Sequence, residues 1–213
     1  MEARRGSGLA MAAETWTSRE FLEMDFGQRD CSEITLSHCR FVQCRFRSTR
    51  LSEAVIKDSH FEDCDFTNAR LNAAECSASS FSSCVFTSAN FFAAKFSECR
   101  LFGASFAEAD LSGLTIQGGD WSWVNLRHQA LSGQDLRGVK FAGADFYGAD
   151  LTKTDLRNCD LTEANLDGAK LAGADLRGAN LEKVDLKGLD LNGVRMDMAQ
   201  TVLLAQCYGV KVG

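Results

Sequence analysis

The chain has 213 residues, 45% of them hydrophobic, with no proline and a formal net charge of −6. A chain of this length forms one domain or two, and the missing proline removes any Pro-rich linker that would divide it. The acidic balance argues against a phosphate-backbone ligand, which needs an excess of Lys and Arg, and no apolar run approaches the roughly 20 residues of a membrane helix.

Residues 1–15, MEARRGSGLAMAAET, place Arg4 and Arg5 before an apolar patch too short for a secretory signal. They read as a disordered tail, with Met11 an alternative start, and the protein is expected in the cytoplasm. From Trp16 onward every fifth residue is apolar: Phe21, Phe26, Cys31, Leu36, and so on to Met196, thirty-seven centres without a polar one. Two residues before each centre the side chain is usually small, as at Ala69, Ala74, Cys84 and Ala104, or later Ala144 and Ala174. On extended backbone, residues two apart point the same way. A period of five fits neither a helix stripe nor a long strand. It fits a chain that turns a corner after every pentapeptide.

The number of corners follows from the aromatics. Phe21/Phe26, Phe41/Phe46, Phe61/Phe66 and Phe81/Phe86 repeat on a beat of 20 residues, or four pentapeptides. Between Phe21 and Phe146 twelve of the fourteen centres on those two sides are aromatic, so like residues stack in columns along a square shaft. With coils rising by about 4.8 Å, residues 16–196 make a rod on the order of 45 Å long.

Between residues 112 and 134 the small position holds Leu114, Gly119, Val124, Gln129 and Gln134. A buried amide or an oversized side chain there costs stability unless it is paired or the coil bulges, so distorted geometry is expected. The period stops after Met196, and residues 197–213 read as a capping helix and tail. Asp197 is placed to be the N-cap, Met198, Ala199, Val202, Leu203 and Ala205 to form one apolar face, and Leu204 and Tyr208 to project from the other side. Gly209 is a C-cap candidate, and the following VKV a short strand. The tail closes the end of a monomer or joins two chains about a twofold axis. Apolar residues on both of its sides favour a homodimer through Met198, Val202, Leu203, Leu204, Cys207 and Tyr208.

No enzyme is expected. Six of the nine cysteines fall at the small inward position and two at centres, where Cys acts as a small apolar residue. Cys44, Cys64 and Cys84 stack within disulfide reach, yet reduced structural thiols are the simpler reading. His38, His60 and His128 belong to no triad or metal motif, and no cofactor or metal is implied. The carboxylates form columns: Asp135, Asp155 and Asp175 on one face; Asn125, Asp145, Asn165 and Asp185 on a second; Asp110, Asp150 and Asp190, interrupted by Ala130 and Lys170, on a third. They read either as a solvated surface, with Asp favoured beside corners for its backbone bonds, or as negative faces that imitate a DNA duplex. A dimer of such rods would be about 90 Å long, comparable to some 26 base pairs at about 3.4 Å each.

Stretches such as ADFYGADLTKTDLRNCDLTEANLDGAKLAGADLRGANLEK resemble the pentapeptide-repeat family, whose A-(D/N)-L-x-x consensus implies an all-β, right-handed quadrilateral β-helix, here with a short C-terminal helix. The end DLKGLDLNGVRMDMAQTVLLAQCYGVKVG resembles the Qnr-type quinolone-resistance proteins. That resemblance implies a DNA mimic that binds DNA gyrase and topoisomerase IV, with no nucleic-acid or membrane partner. Contact would run through Asp110, Asp135, Asp145, Asp150, Asp155, Asp175, Asp185 and Asp190. The unbroken register departs from the looped Qnr-type proteins and points to a loop-free type. The competing class is a scaffolding pentapeptide protein with another partner.

Overall fold

A computed structural model describes residues 14–211. The chain winds as a right-handed, four-sided β-solenoid whose coils pair in parallel at a register of 20 residues. Three-residue strands occupy two sides of the first coils: β1 (Thr15–Thr17), β2 (Glu20–Leu22), β3 (Thr35–Ser37), β4 (Arg40–Val42), β5 (Val55–Lys57), β6 (His60–Glu62), β7 (Glu75–Ser77), β8 (Ser80–Ser82), β9 (Lys95–Ser97) and β10 (Thr115–Gln117). The first side stacks β1-β3-β5-β7-β9-β10 and the second β2-β4-β6-β8. Single bridges such as Asp25↔Arg45 and Asp30↔Arg50 build the third and fourth sides. The described chain therefore begins inside the first coil, with Glu14 O accepting Thr35 N at 2.8 Å, while the proposed disordered tail, apart from Glu14 and Thr15, lies outside the described residues.

The centres and the small positions face inward, and most are fully buried. The aromatic columns behave as the 20-residue beat requires. Phe41, Phe61 and Phe81 stack with centroids 4.6 and 4.7 Å apart and planes within 3°, and Phe26, Phe46 and Phe66 stack at 4.9 and 4.6 Å with planes within 10°. Polar residues at the small position donate to backbone carbonyls: Ser59 and Ser79 to Lys57 O and Ser77 O of their own coil at 2.9 and 2.8 Å, others to the carbonyl of a centre in the preceding coil. Thr49 reaches Phe26 O at 2.9 Å, Thr154 Leu131 O at 2.9 Å, and Cys159 Leu136 O at 3.0 Å.

The corners of the third and fourth sides are mostly turns closed by a bond from the residue three after the centre, as from Ala74 N to Leu71 O at 3.0 Å, whereas the corners that follow the strands, such as those after Leu36 and Phe41, lack it. The residue two after the centre is left-handed at every corner from Ser18 to Gly193, with φ between 46° and 76°. Where the closing bond is present, positive φ at that position alone marks a type II turn.

The solenoid ends in helix α1 (Met198–Cys207), with Asp197 as N-cap and Gly209, at φ 80°, just past the end. Asp197 and Gln200 form a reciprocal capping box. The side chain of Gln200 is buried and donates to Leu176 O and, at 2.8 Å, to Ala179 O, pinning the helix to the last complete coil. This fixes the rotation of the helix differently from the sequence expectation. Met198 is 81% exposed and Ala199 is exposed, whereas Leu203, Leu204 and Cys207 pack against the core. The buried stripe is therefore 200, 203, 204 and 207, with polar Gln200 at its head because its amide finds carbonyls at the coil edge. Tyr208 projects outward as expected, and Val210 and Lys211 form no strand.

Candidate interaction surface

Every carboxylate in the three columns is first a turn acceptor. Asp110 takes the amide of Ser112 at 3.0 Å, Asp145 that of Tyr147 at 3.0 Å, Asp150 that of Thr152 at 3.0 Å, and Asp155 that of Arg157 at 3.2 Å. Asp135, Asp175, Asp185 and Asp190 make the same bond to Arg137, Arg177, Lys187 and Asn192. One oxygen is spent on the corner, and the columns differ in what holds the other.

On the first side the bridges join Asp135↔Asp155 and Asp155↔Asp175 as the spacing requires. An arginine column runs beside them. Arg137, Arg157 and Arg177 each grip the Asp two residues before, at 2.6, 2.7 and 2.6 Å. Hydrogen bonding to Arg177 holds the Asp175 carboxyl at about 2, and Arg137 and Arg157 lower Asp135 and Asp155 in the same way. These carboxylates are ionised and neutralised in place. On the third side Asp145 is held by Arg127 at 2.9 Å, and Asn125↔Asp145↔Asn165 pair as expected. Among the described residues no bridge joins Asn165 to Asp185 or Lys170 to Asp190, so the last members stand off the column. On the fourth side Asp110 is held by Asn90 at 3.1 Å. That leaves Asp150, Asp185 and Asp190, each with a carboxylate oxygen that no cation contacts among the described residues.

The ladder also splits in mid-rod. Leu131 N reaches Asp150 O at 2.9 Å and Phe91 N reaches Asp110 O at 2.8 Å, yet no equivalent bond joins Leu111 to Ala130 or Ile116 to Asp135. Ala130 and Asp135 do not return bonds to Ala109 and Leu114, and the corner amides of Glu108, Gly113 and Gly118 are likewise without their partners across the coil. On the second and third sides the ladder stays closed, through Trp121 N to Lys140 O at 2.7 Å and Phe106 N to Asn125 O at 3.0 Å. The two halves of the rod therefore part along the fourth and first sides. A side chain added at Gly133 or Gly138 would meet nothing within 4 Å, whereas one at Gly113 would lie 3.5 Å from Ala93 N.

The expected distortion over 112–134 lies here, and its causes are the misfits in the small position. Leu114 and Val124 are buried where Ala normally stands, and Gln129 reaches Phe106 O at 2.8 Å. Trp121 is fully buried, and its Nε1 is the one buried side-chain polar atom without a partner among the described residues. Two cavities open along the split. One of about 470 Å³ lies between Glu108–Ser112 and Arg127–Ala130, and one of about 650 Å³ is lined by Thr115–Gly118, Asp135 and Arg137.

Near the split is an exposed cluster that the columns did not reveal. Arg127 lies 4.2 Å from the centroid of the Tyr147 ring, His128 meets that ring edge-on, and Trp123, 55% exposed, covers Gly143. Its signal in the sequence was the bulky residue at outward positions 123 and 147, where small or polar residues are usual. His38 and His60 are exposed, and among the described residues no group of three His, Cys, Asp or Glu has metal-binding geometry. All nine cysteines are free, and no described helix is long and apolar enough to cross a membrane.

The profile for the pentapeptide repeat region matches residues 14–91 and 89–166, and that for pentapeptide repeats matches eight copies over 159–197. The chain belongs to the pentapeptide-repeat family. Its fold is shared with full-length QnrB1, a plasmid-mediated fluoroquinolone resistance protein, at a TM-score of 0.62 and 21% identity over 92% of this chain and 100% of that one. A trypsin-treated variant of QnrB1 aligns at 0.58 and 23% identity, over 95% and 99%. HetL, a pentapeptide repeat protein involved in heterocyst differentiation regulation from the cyanobacterium Nostoc sp. strain PCC 7120, aligns at 0.46 and 26% identity, over 87% and 86%. No curated protein matches the sequence.

Proposed function

We propose that this pentapeptide-repeat protein is a rod-shaped mimic of a DNA duplex. It binds DNA gyrase or topoisomerase IV in the cytoplasm and protects the enzyme from fluoroquinolones or natural topoisomerase poisons. The observation that carries this reading is the rod itself: one solenoid, in register from 16 to 196 without an inserted loop, sharing its fold with a fluoroquinolone resistance protein over the full length of that protein. The electrostatic part of the mimicry rests on Asp150, Asp185 and Asp190, whose outer oxygens are open, and less on Asp135, Asp155 and Asp175, which arginines neutralise. Two chains joined at their C-terminal ends would double the length of the mimic. Met198, Tyr208 and Val210, 81, 64 and 53% exposed, supply apolar contact there, while Val202, Leu203, Leu204 and Cys207 are partly covered by their own chain.

The arginine column favours a second reading, a structural rod with a different partner, because carboxylates already paired with arginine offer little charge to a basic surface. A gyrase supercoiling assay with and without ciprofloxacin separates the two. Inhibition of gyrase, or rescue from the drug, at micromolar protein supports the mimic; neither effect leaves the scaffold. Mass in solution tests the dimer independently.

A further inference from the structure

We infer that the mid-rod split is a binding site for an extended segment of a partner polypeptide bearing lysine or arginine, taken up as an added strand on the fourth side. Independently of any topoisomerase contact, three observations meet there. The first is chemical: across the split, the amides of Leu111 and Ala130 and the corner amide of Glu108 lack their ladder partners, so two backbone edges face each other with donors and acceptors unused. An unpaired edge is a template for a strand, and main-chain bonding to such an edge is a recognised mode of peptide capture. The second is spatial: the cavity of about 470 Å³ lies between these edges, with Leu111 and the Gln129 side chain buried at its base and Asn125 at its rim. The third is charge. Glu108 is held only by Ser88 Oγ at 3.1 Å, and Asp110 by Ser112 and Asn90, so neither has a cationic partner among the described residues. The nearby cation Arg127 is committed to Asp145, and His128 lies beside it against Tyr147. The mouth is thus acidic, and the complementary occupant is basic.

Uptake requires the edges to separate to about twice the strand spacing of about 4.8 Å. The closed second and third sides, held by Trp121 N to Lys140 O and Phe106 N to Asn125 O, act as the hinge. A side is one pentapeptide long, so the segment seated there is a strand of similar length, its alternate residues facing the shaft and the acidic mouth.

The test uses the full chain and a defined probe, a capped heptapeptide of alternating valine and lysine, followed by hydrogen exchange and by titration of a fluorescent version. Binding with slowed exchange at 108–113 and 127–132 is expected. A peptide of alternating valine and glutamate, and a Val-Lys peptide N-methylated at alternate amides, should each bind at least tenfold more weakly. Glu108→Gln combined with Asp110→Asn should weaken the Val-Lys peptide several-fold with the melting temperature unchanged. Unaltered exchange at both edges overturns the proposal, as does equal binding of the N-methylated peptide, which would reduce it to charge attraction. Edge protection without any peptide that vanishes on dilution would assign the split to a second copy of the chain and overturn it too.

Discussion

Gly119→Ala tests the close approach of two coils beside the split. Gly119 stands at an inward position where the fold otherwise puts a side chain, at φ 91°, and a methyl there would lie 2.2 Å from Cys99 O, 2.9 Å from Cys99 N and 3.1 Å from Cys99 C. These are backbone atoms that no rotamer change moves aside, and Cys99 O already accepts Asp120 N at 3.0 Å. Three costs add: a left-handed L-residue at about 1–2 kcal/mol, overpacking at about 1–3 kcal/mol, and a disturbed backbone bond at about 1 kcal/mol. The total is roughly 3–6 kcal/mol, which for a chain of this size lowers the melting temperature by on the order of 10 °C or more. Gly133→Ala is the internal control. Its φ is 71° and nothing lies within 4 Å, so only the conformational cost of about 1–2 kcal/mol remains. Melting followed by far-ultraviolet circular dichroism and denaturant titration read both variants. Equal destabilisation of the two would refute the reasoning, because the close approach to the Cys99 backbone would then contribute nothing.

Three further outcomes are expected. Asp175 titrates near 2, so its pairing with Arg177 adds stability that is present above the ordinary carboxylate range and is lost as pH falls through the folded value. The stability gap between the parent and Asp175→Asn should therefore be constant from pH 5 to 7 and close below about pH 4; a carboxyl resonance titrating near 4 would contradict it. Eight of the thiols are buried in the shaft, where burial pushes Cys31 and Cys99 up to about 11 and Cys159 to about 12, so a thiol-disulfide reagent at pH 8 that cannot enter should label only half-buried Cys207 quickly, and all nine in urea. Rapid labelling of any second cysteine in the native chain speaks against a closed shaft. Gln200→Ala removes the side-chain half of the capping box and both bonds to the coil edge, at about 1–3 kcal/mol, and hydrogen exchange across 198–207 should quicken; unchanged exchange there means that Leu203 and Leu204 alone hold the helix.

The five-residue beat and the aromatic pairs made the four-sided shaft legible because both are set by side-chain direction, which the sequence records residue by residue. The stacked columns of Phe41, Phe61 and Phe81 follow from that alone. The glycines of GADLRGAN, Gly173 and Gly178, mark corners on the same beat, and the structure adds that the residue two after every centre is left-handed, with glycine gathering there in the later coils, also at Gly143, Gly148 and Gly168. The split was legible in place, since five inward positions in a row break the small-residue pattern, but which sides open was not. That depends on how Leu114, Trp121 and Val124 share one cross-section, a packing question no column count answers. The helix shows the opposite error. Apolar character put Met198 inward, whereas a polar residue sets the rotation, because Gln200 satisfies backbone carbonyls that the last coil leaves open.

The acidic columns show why charge and fold must be separated at the level of the atom. The corner needs an oxygen that accepts the amide two residues on, and it does not need a negative one. Asn90, Asn125, Asn165 and Asn180 make the same bond as the aspartates, to Phe92, Arg127, Asp167 and Glu182. Asp and Asn are therefore interchangeable to the turn and differ only in the charge they present outward. It follows that Asp150→Asn, Asp185→Asn and Asp190→Asn change the field of the rod while leaving its corners intact, whereas the alanine variants change both. A loss of binding in the asparagine triple variant is then a statement about electrostatics, and a loss seen only with alanine is a statement about the coil.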